Sequence, residues 1–153
     1  MPSFSGNQGA FTPSTVQDNW TLEADGAGEV GEVISIGWGG RMTTTTGYRT
    51  RWVRPSTAGA STFTPVGAIQ GHNPNYNTAL LRFGTFATAP VLPTDPENLH
   101  AQDWNAHGGL GFVVLPLATP WRIINGLLRS QISCRNVAGV DANGSSYSVE
   151  WVE

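Results

Sequence analysis

The sequence contains no lysine, a single cysteine and few charged residues. Charged residues make up 12% of its 153 residues, which is about half the share of a typical soluble domain. The lone cysteine, Cys134, excludes an intrachain disulfide framework, and its alternating surroundings favour a small buried side chain over a nucleophile. A net charge of −3 leaves little repulsion between copies, so the composition favours an oligomer over a monomer.

Several partner classes are excluded by what the chain lacks. No apolar run approaches the roughly 20 residues of a membrane span, and residues 1–11 lack the basic and apolar regions of a signal peptide. We therefore expect synthesis in a cytoplasm and no membrane partner. Net acidity without a broad basic tract argues against a nucleic-acid partner, because such binding depends on neutralising phosphates.

All eight basic residues are arginine. Arginine forms planar bidentate pairs and stacks on aromatic rings, which suits buried or interfacial positions; GC-rich codon usage is the alternative explanation. Residues 41–54 hold four arginines and no acid, whereas residues 1–40 hold five acids and no base. This asymmetry suits pairing between the two segments, within one chain or between chains.

Alternating apolar residues predict strands along most of the chain. The predicted strands lie at 16–22, 30–38, 48–53, 62–70, 79–87, 110–117, 121–124, 128–135 and 146–151. The two segments 110–117 and 121–124 have the continuous apolar character of buried strands. Asn143-Gly144 favours the positive φ of a tight turn, so the last two strands are predicted to form a hairpin.

One helix is predicted among these strands. Thr94-Asp95-Pro96-Glu97 has the form of a capping box, which predicts a short helix near residues 95–105 that ends before Gly108-Gly109. The predicted fold is all-β, a β-sandwich with a jelly-roll topology expected first and an immunoglobulin-like one next. Residues 1–14 are predicted to form an extended N-terminal arm, with a frayed terminus as the alternative, and residues 15–153 a single sandwich domain.

The search for chemistry gives one cluster. His100, Asp103 and His107 offer two imidazoles and a carboxylate, a set that suits zinc or acid/base chemistry. Their spacing matches no established metal motif, and the end of a solvent-facing helix is the alternative interpretation. The chain contains no Gly-x-Ser-x-Gly elbow, Walker pattern or dinucleotide fingerprint. We therefore predict no catalytic residues, no metal and no cofactor.

The aromatic residues permit two interpretations, a sugar-stacking surface or a core. Most tryptophans alternate in phase with apolar neighbours, which favours the core; these are Trp20, Trp38, Trp52 and Trp151. Trp104 and Tyr76 are the rings expected to be more exposed. The polar segment 71–77 is a candidate contact loop.

A small, lysine-free, Gly- and Thr-rich β-sandwich with the arm MPSFSGNQGAFTPS, the final strand SSYSVEWVE and low charge resembles the head decoration, or cement, proteins of tailed bacteriophages, including those of cyanophages. Proteins of that group sit as trimers at local threefold positions and clamp neighbouring major capsid subunits. The resemblance implies a virion protein on the capsid surface. It further implies a homotrimer that binds the major capsid protein and has no enzymatic activity.

Nine residues are candidates for contacts with the capsid or a neighbouring subunit: Phe4, Phe11, Arg49, Arg51, Arg54, His72, Asn75, Tyr76 and Trp104. A second hypothesis is a carbohydrate- or receptor-binding sandwich from a phage fibre or surface protein, with Trp104 and Tyr76 as its rings. A third is a small hydrolase or metalloprotein centred on His100, Asp103 and His107.

Overall fold

A computed structural model of the chain describes residues 1–40, 46–57, 59–73, 75, 78–93, 98–116, 118–126, 130–139 and 144–153. Within these residues the chain forms twelve strands. They are β1 (Ser3–Phe11), β2 (Trp20–Glu23), β3 (Val30–Gly40), β4 (Gly47–Val53), β5 (Ala60–Pro65), β6 (Ala68–Gly71), β7 (Arg82–Thr88), β8 (Asn98–Asn105), β9 (Leu110–Val114), β10 (Trp121–Ile124), β11 (Gln131–Ala138) and β12 (Ser145–Val152). The prediction of an all-β chain is confirmed for the described residues.

The strands form two six-stranded antiparallel sheets. In sheet A the order is β10-β3-β12-β1-β6, and β9 also pairs with β3. In sheet B the order is β5-β7-β2-β11-β4-β8. The long strand β3 pairs with β12 along one side. On its other side it pairs with β10 through Val30–Val33 and with β9 through Ser35–Gly39, so β9 and β10 share one edge of the sheet.

The inner faces of the two sheets meet in one hydrophobic core, the arrangement of a β-sandwich. Three tryptophans predicted to be core, Trp20, Trp52 and Trp151, are fully buried, and Trp38 packs against the same cluster while remaining partly exposed. Phe4, a candidate contact residue, is also buried, with its ring centroid 6.0 Å from that of Trp151. Phe4 therefore belongs to the core and is not available to a partner.

The arm predicted at residues 1–14 is instead largely a strand of sheet A. β1 lies between β12 and β6 and pairs with both. The prediction of an arm rested on the polar residues of this segment. Those residues line the outer face of β1, while Phe4 and Gly6 face the core. A Cβ at Gly6 would lie 2.9 Å from the ring of Phe83, so glycine here makes room for that ring.

The helix predicted near 95–105 is wrong over residues 98–105, which form β8 and pair with β4 from Gly47 to Val53. The capping-box residues 94–97 lie outside the described residues. A capping box is a local signal worth about 1 kcal/mol, whereas pairing along β4 satisfies the backbone of the whole segment. Tertiary pairing therefore overrides the local signal.

The predicted C-terminal hairpin is also wrong. β11 lies in sheet B, paired with β2 and β4, whereas β12 lies in sheet A, paired with β3 and β1. Residues 140–143 of the expected turn lie outside the described residues. Alternation fixes which face of a strand is buried but does not identify the neighbouring strand. Both strands were located correctly, but their pairing was not.

A buried hydrogen-bond cluster joins the two sheets. The Asn136 side-chain oxygen on β11 accepts hydrogen bonds from the Tyr147 hydroxyl on β12 (2.6 Å) and the Thr50 hydroxyl on β4 (2.8 Å). It also accepts one from the Asn19 side-chain amide at 3.1 Å. Burial raises the pKa of the Tyr147 phenol, so its hydroxyl remains a donor. One amide thus serves three buried donors.

This cluster predicts unequal costs for two substitutions. Asn136→Leu leaves three buried donors without their shared acceptor and should lower the free energy of unfolding by about 3 kcal/mol or more. Tyr147→Phe removes one donor and should lower it by about 1 kcal/mol. Urea unfolding followed by tryptophan fluorescence measures both. Equal, small losses would contradict a central role for Asn136.

Candidate functional site

Three large apolar side chains on β9 point into solvent. Leu110 is 83% exposed, Phe112 59% and Val114 68%. They lie opposite Gly39, Gly37 and Ser35 of β3 on the outer face of sheet A. We call these three residues the β9 strip. Adjacent exposed apolar side chains on an ordered strand make this surface a candidate contact site.

The buried strand predicted at 110–117 is therefore wrong for one face of β9. Its inner face does pack inward, since Val113 contacts the core. A Cβ at Gly111 would lie 2.0 Å from the Trp38 ring, so glycine at this inner position lets that ring approach the strand. A continuous apolar run does not reveal by itself whether one or both faces are covered.

A shallow groove runs beside the β9 strip. It has a volume of about 240 Å³ and lies between Phe112 and the small polar side chains of the neighbouring strands. These include Ser146 and Ser148 of β12 and Asn7 of β1. The floor is formed partly by glycine: a Cβ at Gly37 would lie 2.5 Å from the Ser148 hydroxyl oxygen and 3.5 Å from the Phe112 ring. The Phe112 ring therefore borders a polar surface that is formed by short side chains and glycines.

A second groove of about 240 Å³ lies near the edges of both sheets, lined mainly by apolar residues of β5, β6 and β7. Leu80 borders it and is half-exposed. The Glu153 carboxylate accepts hydrogen bonds from the backbone N–H groups of Leu80 and Leu81 at 2.7 and 2.9 Å. The residues that line this groove do not form a row of adjacent exposed apolar side chains like the β9 strip.

The arginines predicted to meet an acidic partner make bonds within the chain. Arg49 forms an exposed ion pair with Asp103 at 2.9 Å. Arg51 is buried and donates to the Asn98 side chain and to a backbone carbonyl. Arg54 donates to the backbone carbonyl of Arg122. The buried Arg51 is thus a structural residue of sheet B.

Four acids of residues 1–40 pair with arginines from later in the chain: Asp18, Glu23, Asp25 and Glu32. Glu23 and Asp25 both contact Arg82, whose guanidinium also lies 4.4 Å from the centre of the Phe63 ring. Glu32 pairs with Arg122 across β3 and β10. These last three acids therefore pair with Arg82 and Arg122, and not with the arginines of residues 41–54 as expected.

The most buried ion pair joins Asp18 and Arg135, with an N–O distance of 2.6 Å. Thr21 donates to the other carboxylate oxygen at 2.8 Å. Burial raises the pKa of the Asp18 carboxyl, while Arg135 and the hydrogen bond from Thr21 oppose the rise. Such a pair holds elements together only while both partners are present, because a lone buried charge is costly.

The candidate metal or acid/base cluster does not converge. The His100 ring packs against Trp38 and Trp52, with centroid distances of 6.0 and 5.4 Å, and burial lowers the pKa of His100. Asp103 lies three positions along the strand and thus on the opposite face. His107 lies beyond the end of β8 and is exposed. No group of three or more potential metal ligands occurs among the described residues.

The remaining candidates are spread over the molecule. His72 is exposed, with Nε2 3.1 Å from the Ser5 hydroxyl oxygen, and Asn75 lies in an exposed turn. Trp104 is half-buried; its indole N–H donates to Thr50 at 2.9 Å, so it is not an open stacking surface. Tyr76 and the side chain of Phe11 lie outside what the structure describes.

Sequence reasoning therefore missed the β9 strip, although a signal was present. Gly109 and Gly111 alternate with Leu110 and Phe112, so the bulky side chains of this stretch lie on one face and glycines on the other. The face that carries Leu110 and Phe112 is opposite to the face against which Trp38 packs.

In comparisons with known proteins, no family model, curated protein or solved structure matches the chain. Within the part of the chain that the structure describes, no helix has the length and hydropathy to cross a membrane.

The two kinds of ion pair predict different costs. Asp18→Ala strands the buried Arg135 guanidinium and should lower the free energy of unfolding by about 3 to 5 kcal/mol. Asp103→Ala, the matched control, breaks the exposed pair with Arg49 and should cost less than about 1 kcal/mol. Chemical denaturation at neutral pH compares them. A loss for Asp18→Ala no larger than that of the control would refute a structural role for the buried pair.

Proposed function

We propose that the chain is a capsid decoration, or cement, protein of a tailed bacteriophage. In this role it binds the outer face of the head and stabilises contacts between major capsid subunits, without enzymatic activity. The observation that supports this proposal most is the β9 strip, because solvent exposure of Leu110, Phe112 and Val114 is explained by coverage with protein. A jelly-roll-like topology belongs to the proposal and is favoured by the crossing of consecutive strands between sheets.

The energetics suit repeated, modest contacts. Fully burying one large aliphatic or aromatic side chain contributes about 1.5 to 3 kcal/mol, so one β9 strip provides a limited interface. A homotrimer, as the resemblance implies, would present three strips at once. Simultaneous engagement of several capsid subunits then multiplies modest affinities through effective concentration.

The proposed contact is apolar rather than ionic. Arg49, Arg51 and Arg54, the candidate contacts for an acidic capsid surface, make bonds within the chain. The β9 strip has no charged member and lies beside serines and glycines. Binding to the head should therefore depend only weakly on ionic strength, because salt screens charges and not apolar burial.

A carbohydrate- or receptor-binding module remains the second candidate, and one observation favours it. The Phe112 ring borders a groove lined by Asn7, Ser146 and Ser148. An exposed ring beside hydroxyl and amide groups is a combination that suits the apolar face and hydroxyls of a sugar. In this version Phe112 takes the role first expected of Trp104 and Tyr76.

A triple substitution tests the proposed role. Leu110→Ser, Phe112→Ser and Val114→Ser together should lower binding to heads assembled without this chain by about tenfold or more, since each lost side chain contributes over 1 kcal/mol. Co-sedimentation of the purified chain with such heads measures binding, and raising the salt concentration should change it little.

A matched control carries Val16→Ser, Leu80→Ser and Val91→Ser, three exposed apolar side chains elsewhere, with exposures of 73%, 55% and 56%. The control should bind as the unchanged chain does. Equal binding of both triple variants, or no binding of the unchanged chain, would contradict the proposal. Glycan-array binding that Phe112→Ser abolishes would favour the second candidate instead.

A further inference from the structure

Among the described strands, β9 pairs with β3 alone, so its other edge has no neighbouring strand there. Gly109 accepts a hydrogen bond from Gly40 of β3, and the N–H of Leu115 donates to Ile34 of β3. In an antiparallel ladder alternate residues bond to the same neighbour, so the odd-numbered residues of β9 point toward β3. The even-numbered residues therefore direct their N–H and C=O groups away from β3. They are the residues whose side chains form the β9 strip.

This edge lacks the features that usually block strand addition. Natural edge strands are protected by charges, proline, shortness or covering elements. Among the described edges, β10 carries Arg122, β8 carries Asp103, β5 ends at Pro65 and β6 has four residues. Residues 108–116 around β9 contain no charge, and their only proline is the last residue. β9 is thus an unprotected edge beside an exposed apolar strip.

The strand also matches itself. A two-fold axis perpendicular to the sheet, midway between the Phe112 residues of two copies, places Phe112 opposite Phe112 and Leu110 opposite Val114. All three pairs join even-numbered residues, whose backbone groups point outward, so the ladder gains six hydrogen bonds. The side chains stay on the same face, where the two strips merge and the phenyl rings meet.

We propose that β9 pairs antiparallel with β9 of a second copy of this chain, centred on Phe112, joining two sheets A into one. This inference rests on the proposed assembly role and names the partner of the backbone edge beside the β9 strip. No like charges meet, because none of residues 108–116 is charged. A five-residue strand spans only about 17 Å, so the contact is smaller than a standard interface, and the dimer should dissociate on dilution.

Such a contact is isologous, so it joins copies in pairs and does not close a trimer. Trimers formed through other surfaces would be linked to one another by it. On a shell, the β9 pairing would then connect neighbouring trimers, and the merged strips of the two copies would form one apolar face that contacts the capsid.

Cysteine cross-linking tests the register. Opposed residues of a hydrogen-bonded antiparallel pair have Cα atoms about 5.5 Å apart, within disulfide range. Phe112→Cys should therefore form a disulfide-linked dimer under mild oxidation, visible as doubled mass on non-reducing electrophoresis. Leu110→Cys is the matched control: it is more exposed, but the two copies lie about 13 Å apart in this register and should cross-link at least about tenfold more slowly.

The double variant Leu110→Cys with Val114→Cys should cross-link again, since these positions face each other. The native Cys134 is fully buried and does not compete. Unchanged thermal midpoints of the reduced variants show that each is folded. Equal rates for Phe112→Cys and Leu110→Cys, or no cross-linking by Phe112→Cys, would overturn the pairing.

Head binding separates this outcome from failure of the proposed function. If Phe112→Cys does not cross-link but the triple serine variant still loses head binding, the strip contacts the capsid and only the pairing is wrong. If the chain cross-links as expected but does not bind heads, self-pairing stands and the decoration role fails.

Discussion

The hydrogen bond between Tyr147 and Asn136 connects the two sheets inside the core, and much of the remaining arrangement depends on it. Asn136 also accepts from Thr50, which in turn accepts from the Trp104 indole. These hydrogen-bonded side chains come from three strands of sheet B and one strand of sheet A. Because a buried polar group without a partner costs about 1 to 3 kcal/mol, sliding one sheet over the other would be costly, since it would break the contacts of the Tyr147 hydroxyl with both Asn136 and Thr50. The cluster therefore fixes the position of β12, and through β12 that of β3 and the β9 strip.

What the sequence predicts well is the buried face of several strands. Tyr48, Thr50 and Trp52 occupy alternate positions, which predicts that they share one face of a strand, and all three are buried on β4. The same reasoning placed Trp20 and Trp151 in the core. Such patterns have a period of two residues, which local burial imposes directly on the sequence.

The sequence predicts poorly how strands are paired. Within the described residues no strand pairs with the strand that follows it in the chain, so turn signals such as Asn143-Gly144 carried no information on neighbours. The strand at 98–105 and the place of β1 in sheet A were missed for the same reason. The residues of the candidate site were missed for the same reason. Phe112 is exposed because no described strand covers β9, and Arg51 is buried because β8 lies beside β4.

The pairing of β1 with β12 has a consequence for synthesis. These strands hold residues 3–11 and 145–152, and they are neighbours at the centre of sheet A. While the chain is still on the ribosome, β1 can pair with β6, but its other edge and the facing edge of β3 remain unpaired until residues 145–152 have emerged. Contacts of such long sequence separation slow folding and leave strand edges open in the meantime. Because few charged side chains are present to repel other chains, these open edges make the nascent chain prone to aggregation until β12 is in place.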